Sequence, residues 1–385
     1  MRMLVSALLI TLAWVGFARG DGPSGSNSKL AQAISAIKKV DREGRGHVEA
    51  KEGAKVLSAA SPKELTTILA AMDDASPLAE NWFRGAFEAA AQAAGELPKG
   101  DLEKFLLDRT HSSRARRLAF EWLVRDDATA RERLVPGMID DPSPELRREA
   151  VARLIDLAKK ADGDKAKSLY EEAFSAAVDG DQVKQLALVL KKDGVKVDLV
   201  RHFGFVTRWT LIGPFDNRET KGFDVPYPPE KELDLKAEYE GMKGKVAWKP
   251  AAAPIDPDIL DPDRVGLFDI AKLTDKHKGA ATYATTDFYS DSEQQVEFRL
   301  STDNAWKLWL NGQLVFAREE YHRGRFFDQY IVKGTLKPGK NVLLLKVLQN
   351  EQTDDWAQDW GFQFRVCDLT GKAVLSSDAQ TTSQR

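Results

Sequence analysis

The sequence predicts a multidomain α and β protein, with an α-helical repeat half over residues 29–200 and an antiparallel β-sandwich over residues 201–376. Three observations carry this prediction. The chain has 385 residues, enough for two or more domains. Its first half repeats a helical pattern at an offset of 31 residues. Its second half alternates apolar and polar residues between turn signals. The clearest case is Leu300 to Phe316, LSTDNAWKLWLNGQLVF, which reads as a β-hairpin closing on Asn311-Gly312.

The elements follow in order. Residues 1–20 read as a signal peptide. Arg2 supplies the positive start, Leu4 to Phe17 is an apolar run of 14 residues, and Ala18 and Gly20 offer small residues for cleavage. As a helix that run would span roughly 21 Å, short of the roughly 30 Å of a bilayer core. The expectation is therefore an exported protein, secreted or periplasmic, that does not span a membrane once the peptide is removed. Cleavage moves the formal charge from −3 to −5. A mildly acidic chain with no basic field excludes nucleic acid as a partner. Cys367 is the single cysteine, so no internal disulfide framework exists. Residues 21–28, DGPSGSNS, read as a flexible leader.

From Leu30 to Val200 the apolar residues fall at helical spacing. Ser61-Pro62-Lys63-Glu64 has the capping-box pattern with Pro at the first helical position. Ser76-Pro77 and Ser143-Pro144 repeat the Ser cap with Pro behind it. In the helix opened by Ser143, one face carries Leu146, Ala150, Leu154, Leu157 and Ala158. Ser113 to Leu123 aligns with Pro144 to Leu154, so that Arg116, Arg117, Ala119 and Leu123 meet Arg147, Arg148, Ala150 and Leu154. A weaker copy at Glu80 to Ala90 shares Arg84, Ala86, Phe87 and Glu88 with Arg117, Ala119, Phe120 and Glu121. Repeats of this length in helical sequence mean stacked helix pairs. The stretch Asp141 to Ala150, DPSPELRREA, resembles a HEAT-type repeat, and that resemblance implies a curved scaffold for a protein partner.

After Gly194 the period changes. Trp209 to Phe215 is a short strand, and Asp216 to Pro250 is loop-rich with Pro226, Pro228 and Pro229 close together. Val296, Phe298 and Leu300 alternate with Glu297 and Arg299. Leu336 to Asn341 is a turn leading into a strand at Val342 to Leu348. Trp360, Phe362, Phe364 and Val366 alternate with Gly361, Gln363, Arg365 and Cys367. Residues 377–385 read as a polar disordered tail. The segments Ser301 to Asn304, Leu308 to Gly312 and Leu336 to Asn341 resemble the galactose-binding-like and PA14-like jelly rolls of secreted bacterial proteins, over Thr282 to Leu375. The whole chain looks like secreted proteins of planctomycete-type bacteria that join helical repeats to such a sandwich. That likeness implies no established activity.

Several chemistries fail on their residues. Gly334 to Asn341 approaches the phosphate-loop pattern, but Asn341 lacks the needed hydroxyl and a strand follows where a helix is required. The five His, at 47, 111, 202, 277 and 322, have no metal-ligand spacing. No G-x-S-x-G elbow exists. A glycosidase needs two acids across a cleft, which Glu319, Glu320, Asp328, Glu351, Asp354, Asp355 and Asp359 are numerous enough to supply. For calcium, Asp256, Asp258, Asp261 and Asp263 crowd one loop without the EF-hand pattern. Asp303 is the separate calcium candidate. In PA14-like lectins two adjacent Asp hold the ion, and here Thr302-Asp303-Asn304 offers one Asp followed by an amide.

The aromatic cluster is the main functional signal. In the hairpin, Trp306, Leu308 and Leu310 share one face, while Lys307 and Trp309 share the other. Two long loops follow, Glu319 to Asp328 and Asn350 to Trp360. Flat rings beside Arg, Asn and carboxylates suit a sugar, which stacks its apolar face and bonds through its hydroxyls. The candidate ligand-binding residues are Trp309, Tyr321, His322, Arg323, Glu351, Trp356 and Asp359. The expected role is an exported non-catalytic binding or scaffold protein, its repeats holding a protein partner and its sandwich a carbohydrate or cell-envelope component. Two alternatives stand beside it: a carbohydrate-active enzyme or its accessory subunit, and a structural envelope protein.

Overall fold

A computed structural model describes residues 24–377. The expected signal peptide, the start of the leader and residues 378–385 lie outside the described residues. The first helix begins at Ser24, inside the stretch read as a flexible leader, because those residues form its opening turn ahead of the buried Leu30, Ala33 and Ile37. The chain divides into two compact units, one ending at Ala128 and one beginning at Thr129. That division falls within the helical half, well before the change from helix to strand at Phe203–Arg208. No helix among the described residues is long and apolar enough to cross a membrane.

Among the described residues the first unit has helices and no strand: Ser24–Lys38, His47–Ser58, Leu65–Ala70, Pro77–Ala93, Lys99–Leu107 and Ser113–Asp126. Its caps are those the sequence signals. Ser61 and Glu64 form the capping box, and Ser76 Oγ accepts from the Ala79 amide at 3.2 Å. The first two helices approach so closely at Gly53 that a Cβ there would lie 2.8 Å from the Ala33 carbonyl oxygen. The repeat also has a structural echo. Arg84 pairs with Glu88 at 2.9 Å, and Arg117 with Glu121 at 2.9 Å, the same i,i+4 link on two helices.

The second unit opens with helices, chiefly Pro144–Ala158, Gly163–Ala176, Gly180–Lys192 and Leu199–Phe203. On Pro144–Ala158 the buried residues are Leu146, Arg147, Ala150, Val151, Ile155 and Ala158. Leu157, expected inside, is exposed, because the buried stripe leans toward Val151 and Ile155, which pack on Val183, Leu186 and Phe203. Twelve strands follow among the described residues: β1 Arg208–Asp216, β2 Glu238–Gly241, β3 Gly244–Ala247, β4 Lys249–Ala252, β5 Phe268–Asp269, β6 Ala280–Ser290, β7 Gln294–Ser301, β8 Ala305–Leu310, β9 Gln313–Arg318, β10 Tyr330–Leu336, β11 Gly339–Gln349 and β12 Gly361–Cys367. They make a six-stranded sheet in the order β4-β1-β6-β11-β8-β9 and a four-stranded sheet in the order β10-β7-β12-β5. The β2-β3 hairpin stands apart. All pairings within these sheets are antiparallel.

The two larger sheets close on one apolar core. Trp306, Leu308, Leu310, Leu343, Leu345 and Val347 enter it from one sheet; Val296, Phe298, Leu300, Phe362, Phe364 and Val366 enter from the other. The β8-β9 hairpin turns on Asn311-Gly312, both at positive φ (52° and 80°), as a type I′ turn demands.

Each sheet has part of its outer face covered, with the edge strands β9 and β10 left exposed. In the four-stranded sheet β12 is covered by the Leu199–Phe203 helix and by the loops that carry Val265 and Phe327. There Arg365 lies over the Phe203 and Phe327 rings, binds Asp328 through Nε and Nη2, and donates Nη1 to the Phe203 carbonyl at 3.0 Å. Arg299 joins Glu297 and Asp328 to the same network. The six-stranded sheet is covered by the excursion between β1 and β4. Phe223, Tyr227, Leu233, Tyr239, Val246 and Trp248 pack there on Ile212, Phe215, Tyr283, Trp309, Leu344 and Leu348.

Candidate functional site

Two places on the second unit merit a functional reading. The first lies at one end of the sheets, where the long loops after β9 and β11 meet the turn before β8. His322 takes a left-handed backbone, φ 57°, and its amide donates to the Asp303 carbonyl at 2.5 Å. Its Nε2 shares a hydrogen bond of 2.7 Å with Asn350 Oδ1, which fixes the ring. Trp356 stands edge-on to that ring with centroids 5.3 Å apart, and is 63% exposed. Tyr321 lies next to it, centroids 6.5 Å from His322, and its hydroxyl accepts from the buried Asn217 Nδ2 at 3.2 Å. Burial pushes the Tyr321 phenol up to about 12, with the Asn217 bond acting against it.

Asp303 sits beneath this group. Its Oδ2 accepts from Arg325 at 3.1 Å. Burial raises its carboxyl above the ordinary range, Arg325 opposes that, and the nearby Asp359 adds to it. The carboxylate expected as a calcium ligand is thus engaged by a guanidinium. Among the described residues no group of three or more His, Cys, Asp or Glu is arranged to hold a metal ion. The acidic loop 256–263 serves packing instead. Asp258 pairs with Lys191, Asp261 with Lys184 at 2.9 Å, and Asp263 accepts from the Phe327 amide at 2.6 Å.

The structure therefore brings together Tyr321, His322 and Trp356, with Asp303 and Asp359 close enough to influence each other. Arg323 is exposed at the rim and pairs with Glu320 at 3.2 Å. Glu351 is turned to the Glu219 amide, 2.9 Å away, and braces the neighbouring loop. Asp359 contributes its carbonyl to Asn304 at 3.2 Å while its side chain faces solvent. Trp309 does not join them. It lies on the outer face as its period predicts, but within the covered cluster, and is only 8% exposed. The alternation of one strand cannot reveal a cover supplied by residues 217–248. Asn217, Asn350 and Arg325, which hold the group in place, were not singled out from sequence, although Arg325 falls in the aromatic loop that was.

The second place is a cleft of about 1010 Å3 on the outer face of the six-stranded sheet. The cover reaches across only part of that face. Where it stops, Trp309, Val342 and Leu344 form a floor and Leu233 and Leu235 a wall, with Arg208, Asp287 and Lys340 at the margin. The floor comes from register. Thr210 lies opposite Thr285, Thr285 opposite Leu344, and Leu344 opposite Trp309, a single row across four strands.

No protein-family model matches the chain, and no curated protein aligns with it. Among solved structures it is similar to a β-glucosidase from Kluyveromyces marxianus in complex with glucose, at 19% identity and a TM-score of 0.20, over 27% of this chain and 12% of that one. It is similar to the PA14 domain of the MpAFP antifreeze protein, at 9% identity and a TM-score of 0.20, over 45% of this chain and 75% of that one. A Faecalibacterium prausnitzii β-glucuronidase matches at 14% identity and a TM-score of 0.24, over 42% of this chain and 31% of that one. The match thus spans about an eighth of the first glycosidase's length, and likeness of this degree carries no argument for this chain.

Proposed function

We propose that this is an exported, non-catalytic binding protein, with its helical half a HEAT-type scaffold for a protein partner and its β half a galactose-binding-like jelly roll. The jelly roll takes a carbohydrate or cell-envelope glycan at the loop end. One observation carries the reading: Trp356 is mostly exposed, yet its ring is held edge-on against an imidazole that Asn350 fixes. An indole presented in one orientation stacks on the apolar face of a pyranose at little entropic cost. Arg323 and Asp359 stand at the rim to bond hydroxyls. The cleft suits a sugar less well, because the two indoles that line it, Trp209 and Trp309, are almost wholly covered.

The enzymatic alternative needs two acids facing each other across open space. Here the one buried acid of the group, Asp303, is closed off by Arg325. Binding of the full mature protein to an array of bacterial and plant glycans, with and without calcium, tests the proposal. Trp356→Ala is expected to weaken any glycan bound by at least tenfold with the melting temperature unchanged, since most of the ring is exposed to solvent. No glycan bound in either condition, or full affinity in Trp356→Ala, overturns it.

A further inference from the structure

The cleft on the six-stranded sheet is a binding site for a different class of molecule. We propose that it takes an amphipathic anion, an elongated apolar body with a single acidic head. The floor row from Thr210 to Trp309 crosses three strand spacings, roughly 14 Å. It runs from two threonines on the Arg208 side to two apolar residues, Leu344 and Trp309. Thr285 has already spent its hydroxyl on the Leu343 carbonyl, at 2.9 Å, and offers no free donor. Leu344 and Trp309 continue the row, and Leu235 stands exposed along the wall. Such a slot rewards a narrow apolar chain and leaves polar groups on its far portion unpaired.

The charge at the margin is uneven. Two of its acids are committed: Glu230 is bound by Lys346 and Tyr283, and Asp287 pairs with Lys340 at 2.7 Å. Arg208 and Lys231 have no ion-pair partner among the described residues, and Glu232 offsets one of them. Arg208 precedes Thr210 by two residues on β1, so it shares the outer face and marks one end of the floor row, with Trp309 at the other. The head belongs at Arg208, where a carboxylate or sulfonate gains a charge-assisted bond, and the body runs toward Trp309.

The test uses the full mature protein, with anilinonaphthalenesulfonate as a fluorescent probe and laurate and dodecanol as competitors. One saturable probe site is expected, displaced by laurate at least tenfold more tightly than by the neutral alcohol. Arg208→Gln, on an exposed side chain, should remove that preference while dodecanol competes as before. Leu235→Glu, also exposed, should weaken both competitors at least tenfold, and unchanged melting curves keep either result from being a folding effect. No saturable probe site in the folded protein overturns the proposal. So does equal competition by laurate and dodecanol, or a laurate preference that survives Arg208→Gln.

Discussion

The two outer faces of the β half are covered in opposite ways. Over β12 of the four-stranded sheet the cover is complete, built from the Leu199–Phe203 helix and the loops that carry Val265 and Phe327, while Ile331 on the edge strand β10 stays exposed. Every residue of β12 is buried, including Gln363, Arg365 and Cys367, which point away from the core between the sheets. Gln363 donates to the Pro262 and Val265 carbonyls, and burial pushes the Cys367 thiol up to about 11. Over the six-stranded sheet the cover is a single excursion of chain, pinned at a few points, reaching β8 but leaving β9 exposed. A sealed face with paired charges performs a structural task. A half-covered face leaves apolar surface where a ligand can replace water.

The contrast is broken most severely at Arg365. Its guanidinium is buried against both oxygens of Asp328, under Phe203 and Phe327. Arg365→Met leaves Asp328 with Arg299 alone and leaves the Phe203 carbonyl without this donor. The expected loss is about 3–5 kcal/mol of unfolding free energy, read from urea melts of the full protein. A loss below 1 kcal/mol would mean that the helices do not depend on this network.

How much of this was legible in the sequence follows from where each signal arises. The hairpin and the core faces of β7, β8 and β12 are local, since a period of two with Asn-Gly between strands fixes which side chains face inward. What covers the other face is not local. Arg365 on a strand reads as a solvated residue until Phe203 and Phe327, from distant parts of the chain, are laid across it. The excursion 217–248 read as loop because Phe223, Tyr227, Tyr239 and Trp248 follow no period, although together they build a second core. For the same reason the period places Trp309 on the outer face but does not reveal that the excursion covers most of its ring. Trp356 and His322 were legible as a loop cluster, but their edge-on pairing depends on Asn350 and a left-handed His322, which composition does not reveal.

Acid should weaken the sealed face next. His202, on the helix Leu199–Phe203, lies tilted against Phe174 with ring centroids 4.3 Å apart and donates from Nε2 to the Ala177 carbonyl at 3.0 Å. Burial pushes its imidazole down to about 4, the Ala177 bond opposes this, and Arg365 adds to it. The unfolded chain takes up this proton as pH falls through 6.5, while the folded chain resists until about 4. The stability contributed by the neutral ring is therefore complete above 6.5 and lost progressively between 6.5 and 4. Over that window the loss is about 3 kcal/mol. His202→Phe should remove this part of the pH dependence, measured as urea midpoints from pH 7 to 4. An unchanged slope in the variant would assign the acid sensitivity to other groups.

The half-covered face should yield more gently, and at Lys346. Its ammonium is fully buried and bonds to the Phe223 and Val225 carbonyls, at 3.3 and 2.8 Å, and to Glu230 at 2.7 Å. Desolvation lowers its pKa, with Glu230 acting against that. These are the polar bonds that tie the middle of the excursion to β11. In Lys346→Met the Glu230 carboxylate loses its cation, but it still accepts from the Tyr283 hydroxyl and lines the cleft, where water reaches it. The core between the sheets lies on the other side of β11 and is untouched. The expected loss is accordingly about 1.5–3 kcal/mol, the scale of hydrogen bonds to a charged group. Trypsin should cut the variant sooner at Lys221 and Lys231, within the excursion, while β7 and β12 stay protected. A loss equal to that of Arg365→Met, without earlier cleavage at these sites, would show that the two covers are equally integral to the fold.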